Sequence, residues 1–298
     1  MTVTRQFEKP QQNGTMQQTR TIAIFTDLDG TLLDHDDYRW DAARPAIERI
    51  RSLSIPLIAV SSKTLAELDH IQLNYGLFDG LIGENGGVIS LGGEVEQPGP
   101  SSQTIDSARD AIIAAVNVPL GSFRTVPPEM IATETGLTLD DAIRAGQRHC
   151  SDPLIWQPSE QDIEIATDIA SQFSLKLVKG GRFHTLCGPS NKGAAMKRML
   201  ERLVVSGRLG DGADDTHATK TAITTIALGD SANDIPMLAA ADIAVQIPPK
   251  RGIRSEPLLT HSDLRIAPYP GPEGWNAALQ SILDQIINTN NKSEVLHG

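Results

Sequence analysis

Cysteine is almost missing from this chain. Cys150 and Cys187 are the only two in 298 residues, and no cluster of cysteine and histidine surrounds either. That argues for free thiols in a reducing compartment, the cytoplasm, and against a metal or redox role for the sulfurs. Aromatic residues are scarce, at 4%. No apolar run approaches the ~20 residues that a transmembrane helix needs. The N-terminal stretch MTVTRQFEKPQQNGTMQQTR holds no apolar core of a signal peptide. Residues 1–19 are expected to form a disordered polar tail. Positive charge is also short: 26 Lys and Arg face 37 Asp and Glu, a net charge of −11. Such a surface disfavours nucleic acid and anionic membranes as partners. It also opposes an anionic substrate, unless a bound cation and a few basic side chains reverse the field in one cleft.

What the chain does have is an ordinary globular balance, 40% hydrophobic and 21% charged, with enough length for one large or two smaller domains. Its most informative stretch is TIAIFTDLDGTLLD, from Thr21 to Asp34. An apolar, β-prone run ends at Asp27, Asp29 follows two residues later, and Gly30 turns the chain. A buried strand that delivers two carboxylates to its carboxyl end needs a cation, a shared proton or a chemical task to offset their desolvation. The bland alternative is a polar turn after an ordinary strand.

Periodicity predicts alternating strands and helices from there. A helix is expected over Asp41–Leu53, a strand over Pro56–Val60, a helix over Thr64–Asn74 and a short strand near Leu81–Gly83. The rhythm breaks after Gly93. Helices are then expected at Thr104–Asn117, Pro128–Glu134, Thr138–Arg148 and Glu160–Gln172, with strands near Leu154–Trp156, Leu175–Val178 and Arg182–Leu186. It resumes with helix Asn191–Val204, a polar loop over Gly207–Thr221, strand Ala222–Leu228, helix Asp234–Ala240 and a strand at Ile243–Val245. A last helix begins near Glu273 and fades into a polar tail, 288–298. The β-α-β rhythm implies a parallel sheet, interrupted by an α+β insertion.

In such a sheet the strand ends share one edge. That edge would carry Asp27 and Asp29, then Ser61, then Glu84-Asn85-Gly86, then Gly229-Asp230-Ser231-Ala232-Asn233-Asp234, with Lys192 at the start of a helix. The inventory suits one task. Carboxylates with a carbonyl and waters suit Mg²⁺, a hard ion. Ser61 and Lys192 are candidate phosphate-binding residues, Asp27 a candidate nucleophile, and Asp29 a candidate acid and base. Each has a plainer reading: Ser61, Asn191 or Asn233 as helix caps, Lys63 and Lys192 as surface charges, Asp234 as a helix-dipole partner.

These same residues carry a resemblance. FTDLDGTLLD, Ser61 after an apolar strand, Lys192 and GDSANDIPML resemble, in order, the four motifs of the haloacid dehalogenase superfamily of phosphatases. SSKT at Ser61–Thr64, GENGG at Gly83–Gly87, GGRFH at Gly180–His184 and GPEGWN at Gly271–Asn276 resemble the mannosyl-3-phosphoglycerate phosphatase family. The N-terminal tail and the loop near 207–221 depart from that family's pattern.

The resemblance implies an α/β fold, with a Rossmann-like parallel-sheet core (20–93 and 188–287) and an inserted mixed α+β cap domain (94–187). It implies Mg²⁺-dependent hydrolysis of 2-O-mannosyl-3-phosphoglycerate through an aspartyl-phosphate. Asp27, Asp29, Asp230 and Asp234 are the expected metal residues, and Lys63, Arg182, His184 and Asn233 the expected substrate contacts. Arg182 and His184, two apart on an expected cap strand, would face the same way, and Arg182 would hold the glycerate carboxylate. Glucosyl-3-phosphoglycerate or another sugar phosphate remains an alternative substrate. A phosphometabolite-binding protein without catalysis is the alternative of another class.

Overall fold

The computed structural model describes residues 21–180, 182–209, 223–250 and 256–295. The expected tail at 1–19, most of the polar loop near 207–221 and the last three residues lie outside that set.

In chain order the elements begin with β1 (Thr21–Thr26), a 3-10 turn (Asp41–Ala43), α1 (Arg44–Ser52), β2 (Leu57–Val60), α2 (Leu65–Tyr75) and β3 (Gly80–Gly83). A short 3-10 turn, Glu84–Gly86, leads to β4 (Val88–Leu91) and β5 (Glu94–Glu96). There follow α3 (Ser102–Ala115), β6 (Gly121–Ser122), α4 (Pro128–Thr135), α5 (Leu139–Gly146), β7 (Ser151–Ile155), α6 (Glu160–Gln172), β8 (Lys176–Gly180) and β9 (Phe183–Cys187). The chain closes with α7 (Lys192–Val205), β10 (Ile223–Gly229), α8 (Ile235–Leu238), β11 (Ile243–Gln246), β12 (Leu264–Ile266) and α9 (Gly271–Val295).

Eight strands form the large sheet, in the order β12-β11-β10-β1-β2-β3-β4-β5. It is parallel from β12 through β3, and β4 and β5 add an antiparallel edge. β1 sits between β10 and β2, so both its faces must be apolar. Ile22 and Ile24 pack with Ile47 and Ile50 of α1 and Leu279 and Leu283 of α9. Ala23 and Phe25 point the other way, into Met196 and Met199 of α7 and Leu238 of α8. The order of strands reverses between β1 and β10, and at such a switch point a crevice opens at the strands' carboxyl ends.

β6, β7, β9 and β8 form a second, antiparallel sheet. Its core joins Ile105 and Ile112 of α3 to Ala166 and Ala170 of α6 and Leu186 of β9. This is the α/β architecture expected, but three details differ from the sequence reading. β5 pairs with β4 in the large sheet, which therefore extends through Glu96 rather than ending at 93. Arg182 is not in a strand: Gly180 pairs with Phe183, so Arg182 lies in the tight turn between β8 and β9. The last helix runs on to Val295, past the point where polar composition suggested a tail.

Local signals account for the helix starts nearest the crevice. Thr64 caps α2 in a reciprocal arrangement with Glu67, and Asn191 caps α7 by accepting from the Ala194 amide. Among the described residues no helix is long and apolar enough to cross a membrane.

Trp275 is the largest fully buried side chain, locked between α9 and β1. Trp275→Ala is expected to lower unfolding free energy by about 3–5 kcal/mol, read as a shift in the chemical-denaturation midpoint.

Candidate active site

β1 and β10 run in register, Thr26 opposite Leu228, and the Asp27 amide continues the ladder by donating to the Leu228 carbonyl at 2.9 Å. The two strands therefore release Asp27 and Asp230 side by side. Gly30 turns the chain with φ of 80°, and a Cβ there would lie 2.7 Å from Asp230 Oδ2. Both the conformation and the close approach require glycine.

Lys192 lies at the centre, with no exposed surface. Its Nζ donates to Asp27 Oδ1 at 2.6 Å and to Asp234 Oδ1 at 2.6 Å. The other oxygen of Asp234 accepts from the amides of Asp230 (3.1 Å) and Ser231 (3.0 Å). Asp234 thus holds the lysine and the β10 loop at once. Asp27, Asp230 and Asp234 can each offer an oxygen within 4.8 Å of the others.

One ammonium cannot balance two buried carboxylates and a third that is half-buried beside them. Burial is the main reason Asp27 is pushed up to about 8. Lys192 pulls against this, while the charges of Asp234 and Asp29 add to it. Burial, followed by the Asp234 charge, raises Asp230 to about 6. Lys192 itself is raised, because Asp27 and Asp234 outweigh the burial that opposes its charge. Asp27 and Asp230 therefore hold protons more tightly than ordinary carboxylates, and Lys192 holds its own more tightly than an ordinary lysine. An all-oxygen set short of positive charge is what a hard divalent cation fits. Asp27 and Asp230 are the carboxylates able to turn oxygens to it, since both oxygens of Asp234 are already engaged. The Asp29 carboxylate is not in this cluster. Its Oδ2 pairs with Lys63 Nζ at 2.9 Å, and its buried Oδ1 has no hydrogen-bond partner.

Ser61 directly follows β2, almost fully buried, with its Oγ accepting from the Lys63 amide at 3.2 Å. Lys63 is held over the Tyr38 ring, its ammonium 5.3 Å from the centroid. Burial works against its charge, but Asp29 and then Glu67 raise it well above the ordinary range. Asn233 donates to Asn85 Oδ1 at 3.3 Å and accepts from Ser231 Oγ. A cleft of about 230 Å³ opens beside Asp230 and Gly30, bounded by Asp34, Lys250 and Gly271.

Asp27, Asp29, Ser61, Lys63, Lys192, Asp230, Asn233 and Asp234 thus meet at one sheet edge. Arg182 and His184 have their contacts within the inserted unit, away from this edge. Arg182 donates to the Thr135 carbonyl at 2.9 Å, and the His184 ring stands edge-on to Trp156. Burial, and then Lys179, lowers the His184 pKa.

The sequence reading missed what holds Asp27 from behind. Trp275 Nε1 donates to Thr26 Oγ1 at 3.0 Å, and that hydroxyl donates to the Asp27 carbonyl at 2.7 Å. Asn276 of the same motif accepts from the Ala46 amide. GPEGWN is therefore a strut behind the end of β1. Its motif was visible in the sequence, but its use was not. Lys250, bridging Asp34 (3.0 Å) and Asp36 (2.8 Å), gave no sequence signal.

This geometry agrees with what comparison finds. Residues 24–109 match the family of haloacid dehalogenase-like hydrolases. A HAD subclass IIB sugar phosphatase of known structure superposes with a TM-score of 0.60 at 17% identity, over 89% of this chain and 98% of that one. At full length the chain is 31% identical to the glucosyl-3-phosphoglycerate/mannosyl-3-phosphoglycerate phosphatase of Methanococcoides burtonii, covering 90% of this chain and 98% of that protein. It is 32% identical to the protein of the same name from Persephonella marina, covering 89% and 98%. The chain belongs to the haloacid dehalogenase-like hydrolases. Within that class it is a phosphoric monoester hydrolase.

Replacing Lys192 with methionine strips the charge from a fully buried ion-pair centre. Lys192→Met is expected to destabilise the metal-free protein by about 3–5 kcal/mol. The loss should be full at alkaline pH and shrink as acid protonates the stranded carboxylates, measured by denaturant titration across pH.

Proposed function

We propose that the protein is a Mg²⁺-dependent phosphatase that hydrolyses 2-O-mannosyl-3-phosphoglycerate, through an aspartyl-phosphate at Asp27, to mannosylglycerate and phosphate. The observation that carries the reaction is Asp27 itself: a buried carboxylate held through one oxygen by Lys192, next to Asp230 and Asp29. The substrate class comes from the relatives, whose names join the glucosyl and mannosyl compounds, so both stand as candidates.

Lys192 fixes Asp27 Oδ1, which leaves the second oxygen to attack phosphorus in line with the leaving group. Lys192 also places a positive charge where the phosphoryl oxygens would lie. The Ser61 hydroxyl accepts from the Lys63 amide and keeps its own hydrogen for one of those oxygens. Mg²⁺, held by Asp27 and Asp230, would supply charge neutralisation for the phosphoryl group.

Asp29 gives a proton to the departing glycerate oxygen. Once the acyl phosphate has formed, it takes a proton from the water that attacks phosphorus and restores Asp27. The contact with Lys63 Nζ at 2.9 Å holds the Asp29 carboxylate in place for both proton transfers. On substrate binding, Lys63 would swing from Asp29 to an anionic group of the substrate. This gives Lys63 its role as a substrate contact.

Arg182 fits the glycerate carboxylate. It is exposed at the β8–β9 turn and bonds one neutral carbonyl, so most of its five donors remain for a substrate. His184, on the neighbouring strand, is proposed to contact the sugar or glycerate, and Asn233 the substrate from the core side. The partner is thus a small phosphorylated sugar–glycerate.

Phosphate release should be measured across mannosyl- and glucosyl-3-phosphoglycerate, 3-phosphoglycerate and hexose phosphates. Turnover is expected to be fastest on one of the two glycosyl compounds, and failure on both sinks the substrate assignment. Asp27→Asn should abolish turnover, and Asp29→Asn should lower kcat by about 10²–10⁴-fold. Full activity in Asp27→Asn would refute the mechanism.

Metal binding should be linked to protons. Folding raises the pKa of Asp27 to about 8 and of Asp230 to about 6, so the folded apo-protein binds protons that the unfolded chain has lost. Apo stability should therefore fall as pH rises through these values. Mg²⁺ should displace those protons, bind more tightly from pH 6 to 8, and release none well above pH 8. Calorimetry in buffers of different ionisation enthalpy measures the proton count, and a count of zero at pH 6.5 would contradict it.

A further inference from the structure

The GENGG turn between β3 and β4 is absorbed neither by the chemistry nor by simple hairpin geometry. Glu84 and Asn85 both adopt positive φ, 49° and 55°. Asparagine tolerates that region, but two successive non-glycine residues there, one a glutamate, persist only where their surroundings over-determine them.

The surroundings are specific. The Glu84 amide donates to the Lys63 carbonyl at 2.8 Å and the Asn85 amide to the Ser61 carbonyl at 2.9 Å. The turn thereby pins the backbone on both sides of the phosphate-binding loop. Asn85 Oδ1 takes the Asn233 amide of the β10 loop. Gly86, with φ of 99°, comes so close to α7 that a Cβ would lie 2.5 Å from the carbonyl of Asn191, the residue before Lys192.

The Glu84 side chain points the other way, fully buried, into the smaller sheet. Its Oε1 accepts from the His149 amide at 2.8 Å. Its Oε2 accepts from the Cys150 amide at 3.1 Å and from the Ser151 hydroxyl at 2.6 Å. These three residues lead into and begin β7. The His149 ring nitrogen lies 3.7 Å from Oε1, and Arg148, whose guanidinium holds the Ser62 carbonyl, adds a favourable charge. Burial alone would raise the Glu84 pKa, yet Arg148 and the three donors hold it below the ordinary value. The other chain crossing is tied to the same turn, since the Gly99 amide donates to the Gly87 carbonyl at 3.0 Å.

We propose that Glu84 is a positioning residue that couples the smaller sheet to the catalytic edge. Its carboxylate sets where β7 begins, its amide holds Lys63 and the next amide, of Asn85, holds Ser61, so the two units move as one across this turn. The proposal rests on the phosphatase reading, because it treats Ser61 and Lys63 as the loop that meets the phosphoryl group. The consequence is selective. A substrate that spans both units needs the coupling, whereas a small ester held by the catalytic edge alone does not.

The test compares wild type with Glu84→Gln and Ser151→Ala. In Glu84→Gln one acceptor oxygen becomes an NH₂ facing N–H and O–H donors, with little change in shape. In Ser151→Ala a single donor is removed from the far side. Turnover of the glycosyl phosphoglycerates should fall about ten- to hundredfold in Glu84→Gln. Turnover of p-nitrophenyl phosphate should stay within about threefold of wild type. Ser151→Ala should show a smaller loss with the same selectivity, and the double variant should fall short of the sum of the two.

Hydrogen exchange supplies a readout that needs no glycosyl substrate. In wild type, Mg²⁺ with orthovanadate should slow exchange of the His149 and Cys150 amides. In Glu84→Gln that slowing should vanish while orthovanadate still inhibits. Equal losses on small and large esters, or undiminished ligand-induced protection in Glu84→Gln, would overturn the coupling and leave Glu84 a plain structural residue. A wild type that cleaves p-nitrophenyl phosphate but neither glycosyl compound would sink the substrate reading alone, since the exchange comparison still decides the coupling.

Discussion

Everything at this site depends on one ammonium group. Lys192 is fully buried and bonded at 2.6 Å to both Asp27 and Asp234. A buried charge without partners is untenable, and so are two buried carboxylates without a cation. Each of the three makes the others possible. Because they come from β1, the start of α7 and the loop after β10, their mutual need also holds these elements in place. The arrangement still lacks positive charge, which is why Asp27 and Asp230 retain affinity for protons and why a divalent cation suits them.

The frame around that centre is built to keep it still. β1 is buried on both faces and paired on both edges, and Trp275 braces its end through the Thr26 hydroxyl. Asp234 uses its second oxygen to tie down the loop that carries Asp230. On the opposite side of β1, the strained turn at Glu84 and Asn85 pins the loop of Ser61 and Lys63 while reaching into the smaller sheet. Rigidity at the catalytic edge and a localised tie to the smaller unit around this turn are complementary. The first serves the chemistry, and the second lets a separate set of side chains face the rest of the substrate.

Much of this was legible in the sequence, for definite reasons. β1 shows as an unbroken apolar run because both its faces are buried, and Asp27 stands out because it ends that run. α2 and α7 were bounded by Thr64 and Asn191, whose side chains cap them as their type suggests. The short strands β4, β5, β6 and β12 were not legible. Two to four residues carry too little periodicity, and the sheet edge rather than local preference makes them strands. Arg182 was misplaced by one step, because the turn before β9 is set by pairing of Gly180 with Phe183. Asp234 was read as a metal residue or a helix-dipole partner, and its commitment to Lys192 needed the two chain segments to meet.

The sequence by itself determined the chemistry available. Strand-end aspartates, a serine, a lysine and an acidic loop define a phosphoryl-transfer set, since residue type and local spacing decide which groups can donate, accept or ligate. Tertiary structure decided what each does with the others. It set which two carboxylates Lys192 binds, that Asp29 pairs with Lys63, and that Glu84 points away from the site it supports. The reason is physical. Burial and distance between residues far apart in the chain govern charge and hydrogen bonding, and no local pattern records either. Asp27 and Asp29, the pair that first marked this chain, end in different surroundings because folding buries one against Lys192 and pairs the other, partly exposed, with Lys63.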